Sequence, residues 1–291
     1  MDSGETGRTQ AGVTRVGTLR AWLVLARASN LPTVWSNCIA GCWLGGWNSG
    51  ATVLLLCLAA SLLYVGGMFL NDVCDVGFDR QYKSDRPIIS GSVTRRQAGL
   101  AALVLLLAGV LLAATINPRA LLFGAILALV IVTYDLLHKR ISWAPVLMAA
   151  CRFLLYMTAA AAGRSGITPR AIDFAIGLGL YIVGLSYLAR GETRARNSSM
   201  LWMLLLFAPV IMGLTLNFTL FTALCALPLL LWVCLGCKVA KQNAGRGVAT
   251  LLAGIVLVDL LAVSPLSFAL WLGFAGLFGA ALLFQRYVPA T

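Results

Sequence analysis

The sequence predicts an all-α, polytopic membrane protein folded as one helical bundle, and its composition is the first reason. Of the 291 residues, 60% are hydrophobic and only 11% are charged, and the mean hydropathy is +0.90. A soluble domain with a solvated surface does not have such a composition. The second reason is the recurrence of apolar runs near the length of about 20 residues that a membrane-spanning helix requires.

Ten apolar segments are candidate spans, near residues 31–48, 51–70, 98–115, 119–134, 143–162, 171–189, 200–216, 218–236, 248–263 and 266–284. Tight turns connect alternate segments, and larger charged loops connect the others. This alternation predicts a single transmembrane domain over residues 19–291. Residues 1–18 are polar and lack an apolar core segment, so we expect a disordered cytoplasmic N-terminus and no cleavable signal peptide.

The net charge of +12 is explained by orientation in the membrane. Most Lys and Arg residues lie in the N-terminal segment and in alternate loops, which the positive-inside rule assigns to the cytoplasm. This pattern predicts a multi-pass protein of a bacterial cell membrane with a cytoplasmic N-terminus and a site that opens to the cytoplasm. It argues against nucleic acid as a partner and leaves room for an anionic substrate.

The end of the second candidate span carries an acidic cluster in a chain that has only ten acidic residues. On a helix, Asn71, Asp72, Asp75 and Asp79 fall at roughly 0°, 100°, 40° and 80°, so they share one face. Carboxylates on one face repel each other unless a cation lies between them, and oxygen ligands favour Mg²⁺ shared with a phosphate. The three aspartates are therefore predicted catalytic residues, and all four side chains are predicted metal ligands. The competing interpretation is a solvated loop.

Cations follow this cluster in the next loop. Lys83 and Arg86 come directly after the carboxylates, and Lys or Arg beside a carboxylate-bound Mg²⁺ suits a diphosphate. Salt bridges between these same residues are an alternative that does not exclude diphosphate binding.

Two stretches resemble the UbiA superfamily of intramembrane prenyltransferases. Asn71-Asp-x-x-Asp75-x-x-x-Asp79 followed by Asp85-Arg-Pro-Ile-x-Ser-Gly91 is similar to its first aspartate-rich motif, and Arg27-x-x-Asn30-Leu-Pro-Thr-Val-Trp-x-Asn37 to its amino-terminal segment. The resemblance implies a UbiA-like bundle of about nine helices, so the chain has nine or ten spans. It also implies Mg²⁺-dependent chemistry on a polyprenyl diphosphate, with Asn37 in an acceptor-binding or structural role.

The end of the fourth span, Tyr134-Asp-Leu-Leu-His138-Lys139, resembles the family's Tyr-x-x-x-Lys motif, with the lysine one residue later. Lys139 is a candidate diphosphate ligand or an ordinary cytoplasmic anchor. Tyr134 and His138 are candidates for contact with the acceptor or for a structural role, and His138 could take a proton.

Two charged residues lie inside candidate spans. Arg152 in the fifth span needs a partner, because a charge there costs about 2.5–3.5 kcal/mol. Diphosphate oxygens, an aspartate of the first cluster and backbone carbonyls are possible partners, and the resemblance favours the diphosphate. Asp259 lies in the ninth candidate span and is interpreted as a helix-packing residue.

The region after the sixth span departs from the family. Where the family carries a second aspartate-rich motif, this chain reads Ser186-Tyr-Leu-Ala-Arg190-Gly-Glu192-Thr-Arg194-Ala-Arg196. Either Arg190 and Arg194 hold the diphosphate directly while Glu192 serves a single metal ion, or the second metal is lost.

The resemblance implies transfer of a prenyl group from a polyprenyl diphosphate to an aromatic or otherwise lipophilic small-molecule acceptor within the membrane, among membrane lipids. The alternatives are a lipid- or isoprenoid-binding pseudoenzyme and a transporter. A CDP-alcohol phosphotransferase is disfavoured because its Asp-Gly-x-x-Ala-Arg segment is missing.

Overall fold

The computed structural model describes residues 18–83, 85–190, 199–216, 218–264 and 268–289. Every regular element in these ranges is helical, which confirms the all-α class. A 3-10 turn at Ala28–Asn30 joins the first two helices. The α-helices are α1 (Thr18–Leu25), α2 (Leu31–Leu44), α3 (Gly50–Tyr82), α4 (Arg95–Ala114), α5 (Pro118–Leu137), α6 (Ala144–Ala162), α7 (Pro169–Arg190), α8 (Ser199–Leu205), α9 (Ala208–Leu216), α10 (Leu220–Gln242), α11 (Ala244–Ala253), α12 (Ile255–Ala262) and α13 (Phe268–Phe284).

Seven stretches of the described residues are long and apolar enough to cross a membrane. They are α3, α4, α5, α6, α7, α10 and the α11–α12 pair, Ala244–Ala262. Leu201–Leu216 and Ala269–Phe284 are shorter apolar helical stretches, and α2 has 14 residues. The membrane bundle is thereby confirmed, while a count of nine or ten spans stays a prediction.

Helix α3 extends well beyond the apolar segment predicted at 51–70. Ser49 caps its N-terminus by accepting a hydrogen bond from the Thr52 amide, and the helix continues for 33 residues to Tyr82. The acidic cluster therefore lies on the helix and not in a loop, as its angular spacing predicts.

Helices α2 and α6 cross with their backbones in contact, and glycines make this possible. A Cβ atom at Gly45 would collide with the Ala160 carbonyl oxygen, and one at Gly163 with the Gly45 carbonyl oxygen. Small residues allow this approach in membranes, where helix association relies on close packing. The crossing brings the polar side chains of α2 next to α6.

At the break between α11 and α12 at Gly254, side chains from other helices donate hydrogen bonds to backbone carbonyl oxygens. Tyr181 donates a hydrogen bond to the Leu251 carbonyl oxygen over 2.7 Å, and Trp232 donates to the Thr250 carbonyl oxygen over 2.8 Å. Backbone groups in a bilayer need such partners because no water is available. The break turns α12 so that Asp259 faces α2.

Candidate active site

The acidic face of α3 is buried despite its charge. The exposed fractions are 6% for Asn71, 3% for Asp72, 9% for Asp75 and 4% for Asp79. Buried carboxylates require partners, and here partners come from the α1–α2 junction, the loop after α3 and the end of α5. These elements meet at one end of the bundle.

Asp72 binds two arginines. Its Oδ1 lies 3.3 Å from Arg27 Nη2 and 3.2 Å from Arg86 Nη1, and Arg86 Nη1 also donates to Oδ2 over 3.3 Å. One carboxylate therefore holds two guanidinium groups, one from the α1–α2 junction and one from the loop after α3. The salt bridge of Arg86 matches the alternative that the sequence offered, and its diphosphate contact stays a prediction, whereas Arg27 was not predicted as a site residue.

Asp75 is paired with the end of α5. Its Oδ1 lies 3.1 Å from His138 Nε2, and its Oδ2 lies 3.2 Å from Lys139 Nζ. The ammonium of Lys139 also lies over the Phe78 ring, 4.0 Å from its centroid, in a cation–π contact. The lysine comes one residue later here than in the family's Tyr-x-x-x-Lys motif. As a result, His138 and Lys139 each contact one oxygen of the Asp75 carboxylate.

Both ring nitrogens of His138 lie close to oxygen atoms. Nδ1 lies 3.2 Å from the Tyr134 carbonyl oxygen and 3.1 Å from the Asp135 carbonyl oxygen, while Nε2 faces Asp75. Tyr134 stacks on the imidazole with 5.0 Å between ring centroids, so its visible role is to orient His138.

Asp79 has no ion pair with any residue in the described ranges. Lys83 lies one turn further on, and its backbone amide donates to the Asp79 carbonyl oxygen over 2.8 Å. Partial desolvation lowers the pKa of Lys83, and the nearby guanidinium groups of Arg86 and Arg27 lower it further. The lowered pKa thus reflects burial first and the neighbouring guanidinium groups second.

The donor set fits Mg²⁺ by its chemistry. It consists of the carboxylates of Asp72, Asp75 and Asp79 and the amide of Asn71, all oxygen ligands. Within the described ranges, however, no three His, Cys, Asp or Glu side chains lie close enough together to hold one ion. Mg²⁺ commonly uses one or two carboxylates together with waters and substrate phosphates, so this spread does not exclude the ion.

Two residues that the sequence did not single out complete the cluster. Arg27 donates to Asn71 Oδ1 over 3.3 Å, and its backbone adopts φ 44°, ψ 49°, a conformation that is uncommon outside glycine. Asp135, 3% exposed, accepts a 3.0 Å hydrogen bond from Asn71 Nδ2. Both lie inside stretches that resemble family motifs, but the sequence does not pair them with Asn71, which lies 44 and 64 positions away.

Arg152 contacts α2. Its guanidinium donates to the Thr33 carbonyl oxygen over 3.2 Å, to Thr33 Oγ1 over 3.0 Å and to Asn37 Oδ1 over 2.7 Å. Asn37 Nδ2 in turn donates to Asp259 Oδ2 over 2.7 Å, and Ser36 donates to the same oxygen. We call this chain of hydrogen bonds from Arg152 through Asn37 to Asp259 the α2–α6–α12 network. Diphosphate binding by Arg152 stays a prediction.

Arg190 fastens the loop that follows α5. It donates to the carbonyl oxygens of His138 over 2.6 Å, Ser142 over 3.1 Å and Ile141 over 3.4 Å. It thereby lies next to the cluster at the residue where α5 ends. Glu192 and Arg194 lie outside the described residues, so their predicted roles stay predictions.

The fold and the site define a class: an integral membrane helical bundle with a buried acid–base cluster at one end. The profile of the UbiA prenyltransferase family matches residues 29–244, which is most of the chain. The chain therefore belongs to the UbiA prenyltransferase family, and the resemblance of the first motif is confirmed.

Curated relatives match only in part. A digeranylgeranylglyceryl phosphate synthase from Ignicoccus hospitalis is 36% identical over 124 residues, 43% of this chain and 41% of that protein. A 4-hydroxybenzoate octaprenyltransferase from Vibrio campbellii is 31% identical over 147 residues, 49% of this chain and 50% of that protein. The chain thus spans about two fifths to one half of the length of these relatives.

Solved structures match over most of the chain. The apo structure of a UbiA homologue from Aeropyrum pernix has a TM-score of 0.66 at 15% identity, covering 90% of this chain and 98% of that one. A UbiA homologue from Archaeoglobus fulgidus bound to GPP and Mg²⁺ has a TM-score of 0.53 at 16% identity, covering 92% and 97%. At this identity, the likeness establishes the fold.

Proposed function

We propose that this chain transfers a prenyl group from a polyprenyl diphosphate to a small-molecule acceptor inside the membrane, in a Mg²⁺-dependent reaction. The single observation that carries the proposal is the buried cluster in which Asp72 and Asp75 hold cations from separate elements. Family membership supports it, as does the binding of GPP and Mg²⁺ by a homologue of the same fold.

The cations suit a diphosphate. Arg27, Arg86 and Lys139 are each held by a carboxylate, so their positions are set before a substrate arrives. Charged donors placed in advance stabilise negative charge as it develops, and they act most strongly where water is excluded. Lys83, at the edge of the cluster, would bind the same anion.

Asn71, Asp72, Asp75 and Asp79 would hold Mg²⁺, which when bound would neutralise the diphosphate and make it a better leaving group. Of the three aspartates of the motif, Asp79 is the one for which the described residues provide no ion pair. We propose Glu192 as a further ligand, and Arg190 and Arg194 as further phosphate contacts, from the segment after α7.

The reaction breaks the carbon–oxygen bond between the prenyl group and the diphosphate, and the electron pair leaves with the diphosphate. The acceptor supplies the electrons for the new bond and loses a proton. The apolar bundle would exclude the water that quenches a carbocation. Next to Arg152, an apolar cavity of about 50 Å³ is lined by Tyr64, Leu127 and Cys151, among others, so apolar surface continues inward between α3, α5 and α6.

We also propose that the cluster faces the cytoplasm. The loops that border it belong to the set of N-terminal and alternate-loop segments in which most of the basic residues lie, and this asymmetry favours a cytoplasmic position for them. The names of the relatives supply the acceptors to test, since one class is named for digeranylgeranylglyceryl phosphate and the other for 4-hydroxybenzoate.

The test incubates the purified protein in lipid nanodiscs with prenyl diphosphates of several lengths, Mg²⁺ and acceptors that include 4-hydroxybenzoate and a glyceryl phosphate lipid. We expect Mg²⁺-dependent release of diphosphate and a prenylated product. The double variant Asp72→Ala/Asp75→Ala should lose turnover. The control is Asp173→Asn, near the start of α7, whereas Arg190 at the other end of the same helix lies next to the cluster.

Undiminished turnover in the double variant would show that these carboxylates do not serve the reaction. Binding of the prenyl diphosphate without turnover on any acceptor would favour a pseudoenzyme. If the protein neither bound a prenyl diphosphate nor turned it over, the proposal would be refuted.

A further inference from the structure

Asp135 contacts the first residue of the aspartate-rich motif from a different helix. Its Oδ1 accepts a hydrogen bond from Asn71 Nδ2 over 3.0 Å. The other end of the same amide, Asn71 Oδ1, accepts from Arg27 Nη2 over 3.3 Å. Asp135 is 3% exposed and Asn71 is 6% exposed, so water does not compete strongly for either contact.

An asparagine amide has two unlike ends, and its neighbours decide which end points where. The oxygen accepts hydrogen bonds and binds cations, whereas the NH₂ group only donates. A carboxylate at Asp135 attracts the NH₂ end, and the guanidinium of Arg27 attracts the oxygen. Rotation of the amide by 180° would place oxygen against carboxylate and NH₂ against guanidinium, so both contacts favour the same orientation.

We propose that Asp135 is a positioning residue: it fixes the Asn71 amide so that the carbonyl oxygen faces Arg27 and the side of the cluster where the diphosphate and its cation would bind. The inference rests on the proposed function and names a residue outside the aspartate-rich motif. Asp135 acts through Asn71 and makes no contact with the substrate.

A packing role alone would not require this side chain. Burial of a carboxylate is costly, and Asp135 Oδ2 is buried without a hydrogen-bond partner among the described residues. An apolar residue of similar size would avoid that cost. An ionised carboxylate accepts hydrogen bonds and donates none. A neighbouring amide must therefore turn its NH₂ group toward it, which fixes the orientation of the amide.

The test compares the parent with Asp135→Asn and with the swapped double variant Asn71→Asp/Asp135→Asn. In the single variant two amides face each other and can pair in either orientation. In the double variant the amide at position 135 donates to the carboxylate at position 71, whose second oxygen faces Arg27. The measurements are the dissociation constant of geranyl diphosphate with Mg²⁺, the KM and kcat for it, and the melting temperature without ligand.

For Asp135→Asn we expect geranyl diphosphate binding weakened about tenfold, the equivalent of one hydrogen bond to a charged group. The Mg²⁺ concentration for half-maximal rate should rise, and the melting temperature should stay within a few degrees of the parent. The swapped variant should recover affinity to within about threefold of the parent. Asp173→Asn provides the control for loss of a carboxylate elsewhere.

Two results would overturn the inference alone: parent-like affinity in Asp135→Asn, or equal impairment in the single and swapped variants, because orientation would then not matter. If the parent itself neither bound nor turned over a prenyl diphosphate, the proposed function would fall and the inference with it. The parent measurement therefore separates the two failures.

Discussion

Removing both ends of the α2–α6–α12 network together should destabilise the protein less than the sum of the two single removals. Asp259, Asn37 and Ser36 are fully buried, and Asn37 links the Arg152 guanidinium to the Asp259 carboxylate through two bonds of 2.7 Å each. Arg152→Met therefore leaves Asp259 as a buried charge without a cation. Asp259→Asn leaves Arg152 without its carboxylate but keeps an acceptor for Ser36 and Asn37.

The magnitudes follow from the cost of an isolated charge in the apolar interior, about 2.5–3.5 kcal/mol at a span centre. We expect Arg152→Met to cost about 3 kcal/mol, and Asp259→Asn to cost about 2 kcal/mol because Arg152 is only partly buried. Independent effects would sum to about 5 kcal/mol. The double variant should cost only about 3 kcal/mol, since it leaves no unpaired charge, which is a coupling of about 2 kcal/mol.

The assay is thermal unfolding of the purified variants in one detergent, followed by tryptophan fluorescence. Arg152→Met should lower the midpoint by roughly 6–12 °C, given about 2–4 °C per kcal/mol for large chains. The KM for a prenyl diphosphate, measured on the same variant, tests the predicted diphosphate contact of Arg152 separately from its role in stability. Strict additivity of the two substitutions would refute the network. A large increase in KM with an unchanged midpoint would instead place Arg152 in the diphosphate site.

Three further predictions concern the cluster and the bundle. Asp75→Asn should lower turnover at least about 100-fold, since it releases His138 and Lys139 together and removes a proposed metal ligand; turnover equal to that of Asp173→Asn would contradict this. Arg190→Met should speed hydrogen exchange in the loop 138–142, because three carbonyl oxygens lose their donor; unchanged exchange there would show that other contacts hold the loop. Gly45→Ala should lower the melting temperature through its clash with Ala160, whereas Gly50→Ala, where a Cβ atom meets nothing within 4 Å, should not; equal midpoints would mean that the α2–α6 crossing adjusts freely.

Local pattern determined the helices and the acidic face. Apolar runs give membrane helices whatever their neighbours are, and a period of 3.6 residues places Asn71, Asp72, Asp75 and Asp79 on one side of α3. The whole of α3 bears out that register to Tyr82. The first motif was also sufficient to indicate the family, because its residues are close together in the chain.

The partners of these residues could not be read from the chain. Asp72 pairs with Arg27 from 45 positions away, Asn71 with Asp135 from 64, and Asn37 with Asp259 from 222. Such pairs depend on which helices cross and where, and crossing points such as Gly45 against Ala160 are set by the shapes of two surfaces at once. The sequence by itself thus determined the helices, the family and the acidic face of α3. Only the tertiary structure decided which cation each carboxylate holds, because electrostatic pairing acts over distances in space and not along the chain.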